Sequence, residues 1–116
     1  MPNQTHATLR DLPPLTVIDL GGEVTTFAED AVNGAYKRAT EQGAKNILLN
    51  FKDVEYINSA GIAVIIGLLT EARKSDQSLM ITGLTPHYTK IFQMMGLAQY
   101  APLYETEEAA RQAISA

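Results

Sequence analysis

Four small or polar residues, Asn58-Ser59-Ala60-Gly61, stand directly before the aliphatic run of residues 62–69. Polar side chains at such a boundary are typical of a helix start. A helix start carries unpaired N–H groups and a partial positive charge, so it tolerates an anion such as phosphate. A phosphate on Ser59 adds about −1.5 to −2 charges, which changes what the surface binds while the fold persists. The cluster therefore predicts either a capped helix or a hydroxyl that another protein modifies.

The capping interpretation is the more common one for residues of these types. Asn58 or Ser59 caps the helix, and Gly61 and Gly67 allow the helix to pack closely against a sheet. In the regulatory interpretation, Ala60 and Gly61 leave the backbone of the first turn uncovered, so that a protein or a nucleotide approaches it closely. An exposed apolar patch around Ile57 and Ile62 is the feature that would support a protein partner. Both interpretations remain open from these residues alone.

Catalysis by Ser59 has little support. The tetrapeptide "NSAG" is not the strained GxSxG turn of serine hydrolases, and neither His6 nor His87 is placed by any signature as its base. The stretch "GGEVTTF" contains no phosphate-binding glycine loop, and the histidines have no metal-ligand spacing. Asp53 and Glu55 are expected on a solvated loop. We predict no enzyme activity, no metal site and no cofactor.

Composition narrows the class of protein further. The chain has 116 residues, 46% of them hydrophobic, no cysteine and a formal charge of −4. These values predict one globular domain over 1–116 without disulfides or thiolate metal sites. The lack of cysteine is compatible with a reducing cytoplasm, where we expect the protein. Its scattered basic residues argue against direct nucleic-acid binding. The amino-terminal segment does not have the pattern of a signal peptide, and no apolar run reaches bilayer length, so membrane insertion is not expected.

Alternation and helical spacing predict the elements that would position this cluster. Thr25 and Thr26 offer an N-cap for a helix whose apolar face comprises Phe27, Ala31, Ala35 and Ala39, and Met94 and Met95 are assigned to the core. The predicted strands are 5–10 (a weak edge strand), 15–22, 45–51, 78–84 and 99–103, and the predicted helices are 26–42, 59–74, 86–95 and 105–114.

This order predicts an α/β fold with a mostly parallel sheet of four to five strands, an antiparallel edge hairpin and about four helices. The strand at 45–51 is expected at the centre of the sheet, because it is apolar on both faces. In such a fold a helix that follows a parallel strand starts near the carboxyl ends of the strands. Ligands and partners usually meet α/β sheets at that edge, so Ser59 is expected there.

Nearly the whole chain resembles the STAS domain, a family named for sulfate transporters and anti-sigma factor antagonists, and it is most similar to the free-standing bacterial antagonists. "VIDLGGEV" is similar to the second strand of the family and its Gly-Glu turn. "NILLNFKDVEYINSAGIAVIIGLL" is similar to the central strand followed by the family's Asp-Ser-small-Gly signature. "LMITGLTPHYTKIFQMMGLAQYAPLYETEEAARQAI" is similar to the last strand and the two terminal helices.

The resemblance implies an anti-sigma factor antagonist that regulates transcription by partner switching. It implies that Ser59 is the phosphoacceptor of an anti-sigma factor with GHKL-type serine kinase activity, which binds the unphosphorylated antagonist, and that a PP2C-type phosphatase restores the serine. The implied contact surface is the signature segment together with the turn beside it, comprising Gly22, Glu23, Asn58, Ser59, Ala60 and Gly61.

Two positions depart from the family pattern. Asn58 stands where the family signature has aspartate, and Thr25 stands where many antagonists have aspartate. Asparagine caps a helix well but brings no charge to orient a hydroxyl. Asn58 therefore favours an alternative function, a STAS scaffold or accessory subunit of a transport or signalling assembly that is not phosphorylated. A small enzyme that uses Ser59 ranks last.

Overall fold

A computed structural model describes residues 4–115, without the side chain of residue 115. Residues 1–3 and 116, at the ends of the domain expected over 1–116, lie outside this range. The elements in chain order are β1 (His6–Leu12), β2 (Leu15–Val24), a 3₁₀ helix (Thr26–Ala28), α1 (Glu29–Glu41), β3 (Asn46–Ile57), α2 (Ser59–Lys74), β4 (Ser78–Thr82), α3 (Pro86–Met94), a second 3₁₀ helix (Leu97–Gln99), β5 (Leu103–Tyr104) and α4 (Glu107–Ser115).

The five strands form one sheet in the order β1-β2-β3-β4-β5. β1 pairs with β2 in an antiparallel hairpin, and every other neighbouring pair is parallel. The described residues therefore form a five-stranded mixed sheet with four α-helices, which confirms the predicted fold class. None of these helices is both long and apolar enough to cross a membrane.

Helices cover both faces of the sheet, and the middle of β3 shows why. Ile47, Leu48 and Leu49 are all fully buried. Ile47 and Leu49 belong to the larger core beneath α1, α2 and α3, whereas Leu48 belongs to a smaller core beneath α4. A run that is apolar at consecutive positions is stable only where both faces of the strand are covered.

β3 is longer than the strand expected over 45–51, because its partner β2 is longer too. β2 continues past residue 22, so that Glu23 pairs with Tyr56 and Val24 with Ile57. β4 pairs only with residues 46–50, so the extension of β3 is largely exposed and lacks a clear apolar alternation. Asp53 and Glu55 consequently lie on this strand extension and not on the loop that was expected.

The last predicted strand, 99–103, was wrong over most of its length. Residues 97–99 form a 3₁₀ helix, closed by a hydrogen bond from the Tyr100 N–H to the Leu97 carbonyl oxygen of 3.0 Å. The strand itself is only Leu103–Tyr104. Local hydrogen bonding therefore uses the backbone groups that a longer strand would have paired with β4. α4 then starts at Glu107, after Thr106 accepts a hydrogen bond of 3.0 Å from the Ala109 N–H.

Three assignments to the core were also wrong. Phe27 is 86% exposed, and Met94 and Met95 are 77% and 49% exposed. The buried positions of α1 are Val32, Ala35, Tyr36 and Ala39. Ala35 and Ala39 of the predicted apolar face are therefore buried, whereas Ala31 is half-buried and Phe27 is exposed. On α3 only Phe92 is buried.

Candidate functional site

Asn58, and not Ser59, caps α2. The Asn58 Oδ1 accepts a hydrogen bond of 2.8 Å from the Gly61 N–H, and the Asn58 carbonyl oxygen accepts one of 2.9 Å from the Ile62 N–H. Ser59 is the first helical residue, and its side chain is exposed. Across residues 4–115, no hydrogen bond uses the Ser59 hydroxyl. The cap and the candidate phosphoacceptor are therefore separate side chains.

The start of α2 is fixed to the end of β2. The Asn58 N–H donates to the Val24 carbonyl oxygen at 3.2 Å, and Val24 is fully buried. Gly61 lies against the same carbonyl group, where a Cβ would come within 2.5 Å of the carbonyl carbon and nearer still to the oxygen. The close packing expected at Gly61 is thus present. At Gly67 it is not, since that residue is exposed and a Cβ there would have no neighbour within 4 Å.

Gly22 and Glu23 lie inside β2 and not at a turn. Gly22 has a φ of 78°, a left-handed conformation that favours glycine, and the pairing of β2 with β3 shifts register between Gly22 and Glu23. Such a bulge lets the strand continue, which is why the Gly-Glu pair does not end it. Glu23 and Asn58 then line one groove of about 510 Å³, together with Gln4, Thr5, Thr25, Thr26 and Phe27. We call this the Phe27 groove.

The predicted site residues lie close together, but they differ in their exposure to solvent. Glu23, Asn58, Ser59 and Ala60 are at least partly accessible at the junction of β2, β3 and α2, whereas Gly22 and Gly61 are buried. The two glycines therefore shape the backbone and do not themselves form a contact surface. Ala60 lines a second groove of about 680 Å³ between α1 and α2. Ser59 is thus flanked by a groove beside its preceding residue and another beside its following residue.

Ile57 and Ile62 do not form an exposed patch, because they are only 4% and 9% exposed. The exposed apolar side chains near the site are instead Phe27 and Tyr56. Sequence reasoning missed Phe27, although a signal was present. Ala28, Val32, Ala35 and Ala39 also follow helical spacing, and that alternative face leaves Phe27 outside.

A second polar cluster, which the sequence did not predict, lies beside α4. Arg10 Nε and Nη2 each donate to an Asp19 carboxylate oxygen at 2.8 Å, and Arg10 also pairs with Glu107 in the first turn of α4. Asn50 Nδ2 donates to Asp19 at 2.8 Å. The hydrogen bonds from Arg10, and then that from Asn50, lower the pKa of Asp19. This network joins β1, β2 and β3 to α4, and we interpret it as structural.

The described residues contain no group of three or more acidic, histidine or cysteine side chains that could hold a metal ion. The candidate site presents the exposed Ser59 hydroxyl at a helix start, and the preceding residue, Asn58, shares a groove with the Phe27 ring and Glu23. Within residues 4–115 no base forms a hydrogen bond with this hydroxyl, which is the contact that activates a serine nucleophile.

Comparison with known proteins identifies the family. The STAS domain family matches residues 6–110. An anti-sigma-B factor antagonist of Staphylococcus aureus is 23% identical over 91 residues, which are 78% of this chain and 84% of that protein. The putative anti-sigma factor antagonist BtrV of Bordetella bronchiseptica is 23% identical over 103 residues, which are 89% of each chain.

Solved structures of antagonists share the fold. An anti-sigma factor antagonist from Mycobacterium paratuberculosis superposes with a TM-score of 0.84 at 18% identity, covering 100% of this chain and 98% of its own. The Bacillus cell fate determinant SpoIIAA, in its phosphorylated form, gives 0.68 at 25% identity, covering 92% and 98%. The chain belongs to the STAS domain family.

Proposed function

We propose that the protein is a cytoplasmic anti-sigma factor antagonist that acts by partner switching on Ser59. Unphosphorylated, it binds an anti-sigma factor with GHKL-type serine kinase activity and so releases the sigma factor. Phosphorylation of Ser59 ends that binding, and a PP2C-type phosphatase restores it. The observation that carries the proposal is the exposed Ser59 hydroxyl, which no hydrogen bond within residues 4–115 engages, at a helix start that Asn58 already caps.

The position of Ser59 is suited to a change of charge. Its phosphate would stand at the start of α2, where the helix dipole and the N–H groups of the first turn favour an anion. Two of these N–H groups, those of Gly61 and Ile62, are already bonded to Asn58. Because these bonds do not involve the Ser59 side chain, phosphorylation leaves them intact. The fold would therefore persist while the surface gains about −1.5 to −2 charges.

The added charge would weaken the binding of a partner that packs directly over Ser59. Closing a protein surface over Ser59 removes water from it, and an unpaired phosphate is far more costly to desolvate than a hydroxyl. In the transfer itself, Ser59 Oγ attacks the γ-phosphorus of ATP, the bond to the β-phosphate oxygen breaks, and ADP leaves. The hydroxyl proton passes to a base of the kinase. Antagonist names among the relatives in S. aureus and B. bronchiseptica support an anti-sigma factor as the partner.

The test is phosphorylation in vitro. The anti-sigma factor serine kinases of the source organism are purified and each is incubated with the protein and Mg-ATP. We expect a mass gain of one phosphate on the wild type and none on Ser59→Ala. Ser75→Ala is the matched control, because Ser75 is an exposed serine at the other end of the same helix. No gain with any kinase, or a gain that survives Ser59→Ala, contradicts the proposal.

Asn58 favours a second candidate, a STAS scaffold or accessory subunit that is never phosphorylated. No carboxylate stands directly before Ser59, whereas the family's phosphoacceptor serine follows an aspartate. Purification of the tagged protein from its source distinguishes the two. Recovery of a kinase-like anti-sigma factor supports the switch, and recovery of a membrane transport subunit with Ser59 unmodified supports the scaffold.

A further inference from the structure

Phe27 is more exposed than any other large apolar side chain that the structure describes. Its exposed fraction is 86%, against 77% for Met94 and 49% or less for the others. The ring therefore contributes little to the core, although its neighbours Ala28 and Val24 are fully buried. Aromatic residues, including phenylalanine, are enriched at protein interfaces, so an aromatic ring that the fold does not use is a candidate interface anchor.

The backbone beneath Phe27 is held in place. The Phe27 N–H donates to Thr25 Oγ1 at 3.3 Å, and the Ala28 N–H donates to the Thr25 carbonyl oxygen at 3.0 Å. This 3₁₀ turn packs against α2. The ring is therefore carried on a fixed turn. The backbone that carries the ring therefore needs little ordering on binding, which favours affinity.

The surroundings of Phe27 define the chemistry of a partner. The ring shares the Phe27 groove with Asn58, the residue directly before Ser59, and with Glu23. Within residues 4–115 the Glu23 carboxylate forms no ion pair. A partner that fits this surface offers an apolar pocket for the ring and a basic side chain at its rim for Glu23.

We propose that Phe27 is the anchor by which the unphosphorylated protein binds its serine kinase, with the ring in an apolar pocket and Glu23 paired with a lysine or arginine of the kinase. This inference rests on the proposed function, and it names the residues that set affinity beside the phosphoacceptor. Phe27 acts on recognition and not on the phosphoryl transfer, because its groove reaches Ser59 only through Asn58. Its loss should raise the KM for the protein substrate and leave kcat unchanged.

The test compares Phe27→Ala with Met94→Ala. Both substitutions remove a large exposed apolar side chain, but Met94 lies on α3 and outside the Phe27 groove. Binding of each purified anti-sigma factor kinase is measured by calorimetry with a non-hydrolysable ATP analogue, and phosphorylation is measured with ATP. For the kinase that phosphorylates Ser59, we expect Phe27→Ala to weaken binding about 30-fold or more, as is usual for an interface anchor. Met94→Ala should bind like the wild type.

Glu23→Gln tests the proposed ion pair between Glu23 and a basic residue of the kinase. It should weaken binding less than Phe27→Ala and should flatten the dependence of Kd on salt, because the lost pair is electrostatic. Circular dichroism should show that Phe27→Ala unfolds at the wild-type temperature. Wild-type affinity for the kinase in Phe27→Ala would overturn this inference alone and leave phosphorylation of Ser59 standing. Failure of every kinase to bind or phosphorylate the wild type would overturn the proposed function and this inference with it.

Discussion

Replacement of Gly61 by alanine tests how the site is built. The added Cβ would come within 2.5 Å of the Val24 carbonyl carbon, whereas ordinary contact is 3.4–4 Å. The clash is with backbone, and Val24 is fully buried and paired with Ile57, so it has no free space to move into. Either α2 must lift from the sheet or the end of β2 must shift. Both movements strain the 3.2 Å hydrogen bond from the Asn58 N–H to Val24.

The expected change in the free energy of unfolding is the sum of three contributions. Overpacking of a well-packed site costs about 1–3 kcal/mol, and loss of a backbone hydrogen bond costs about 1 kcal/mol. Alanine is favoured over glycine in a helix by about 1 kcal/mol, which offsets part of this loss. We expect Gly61→Ala to lower the free energy of unfolding by about 2 kcal/mol. In a domain of this size that corresponds to a decrease in Tm of about 8 °C.

Gly67→Ala is the matched control on the same helix. Gly67 is exposed, and an added Cβ would have no atom within 4 Å beyond its chain neighbours and its own helix backbone, so only the helix propensity changes. We expect Gly67→Ala to raise the free energy of unfolding by up to about 1 kcal/mol. Urea unfolding followed by circular dichroism measures both variants, with unchanged m-values as the check on two-state behaviour. If Gly61→Ala is as stable as the wild type, α2 is not fixed by contact with Val24.

Substitutions at Asn58 and at Asp19 test the cap and the polar cluster. Asn58→Ala removes the acceptor of the Gly61 N–H and should lower the free energy of unfolding in urea by about 1 kcal/mol. Asn58→Asp retains the cap, so its free energy of unfolding should stay within about 0.5 kcal/mol of the wild type. Equal losses of stability in the two variants would show that Asn58 Oδ1 does not cap α2. The hydrogen bonds from Arg10 lower the pKa of Asp19 in the folded state. The ionised carboxylate therefore stabilises the fold at a pH above the unfolded-state pKa of about 3.9. This stabilisation is lost as the pH falls through the lower folded-state pKa. The difference in unfolding free energy between the wild type and Asp19→Asn should therefore shrink from pH 6 to pH 2.5, and a constant difference would contradict this assignment.

Much of the fold could be predicted because it follows from patterns of apolar residues over short stretches of sequence. Ile47, Leu48 and Leu49 are apolar in succession, which requires a strand covered on both faces. Alternation of helices with strands then requires a mostly parallel sheet. Both inferences depend on periodicity over a few residues, and the structure agrees with them.

What could not be predicted depends on contacts between distant segments. The extension of β3 to Ile57 is stabilised by the matching extension of β2, and nothing between residues 52 and 57 signals that partner. The exposure of Phe27 depends on which of two helical faces packs on the sheet. The pair of Arg10 with Glu107 joins residues at opposite ends of the chain. Sequence patterns that span ten residues contain no information on such pairs.

The candidate site combines a helix start that Asn58 and Gly61 hold in place with a Ser59 side chain that takes no part in holding it. Asn58 caps α2 and binds β2, and Gly61 permits the close approach of the two backbones. Ser59 stands between these two residues, yet the described hydrogen bonds of the helix start do not use its hydroxyl. If Ser59 itself were the cap, phosphorylation would exchange a stabilising hydrogen bond for a charge, and stability would change together with binding. Because Asn58 performs the capping, a phosphate on Ser59 would alter what the surface binds and leave the helix start intact.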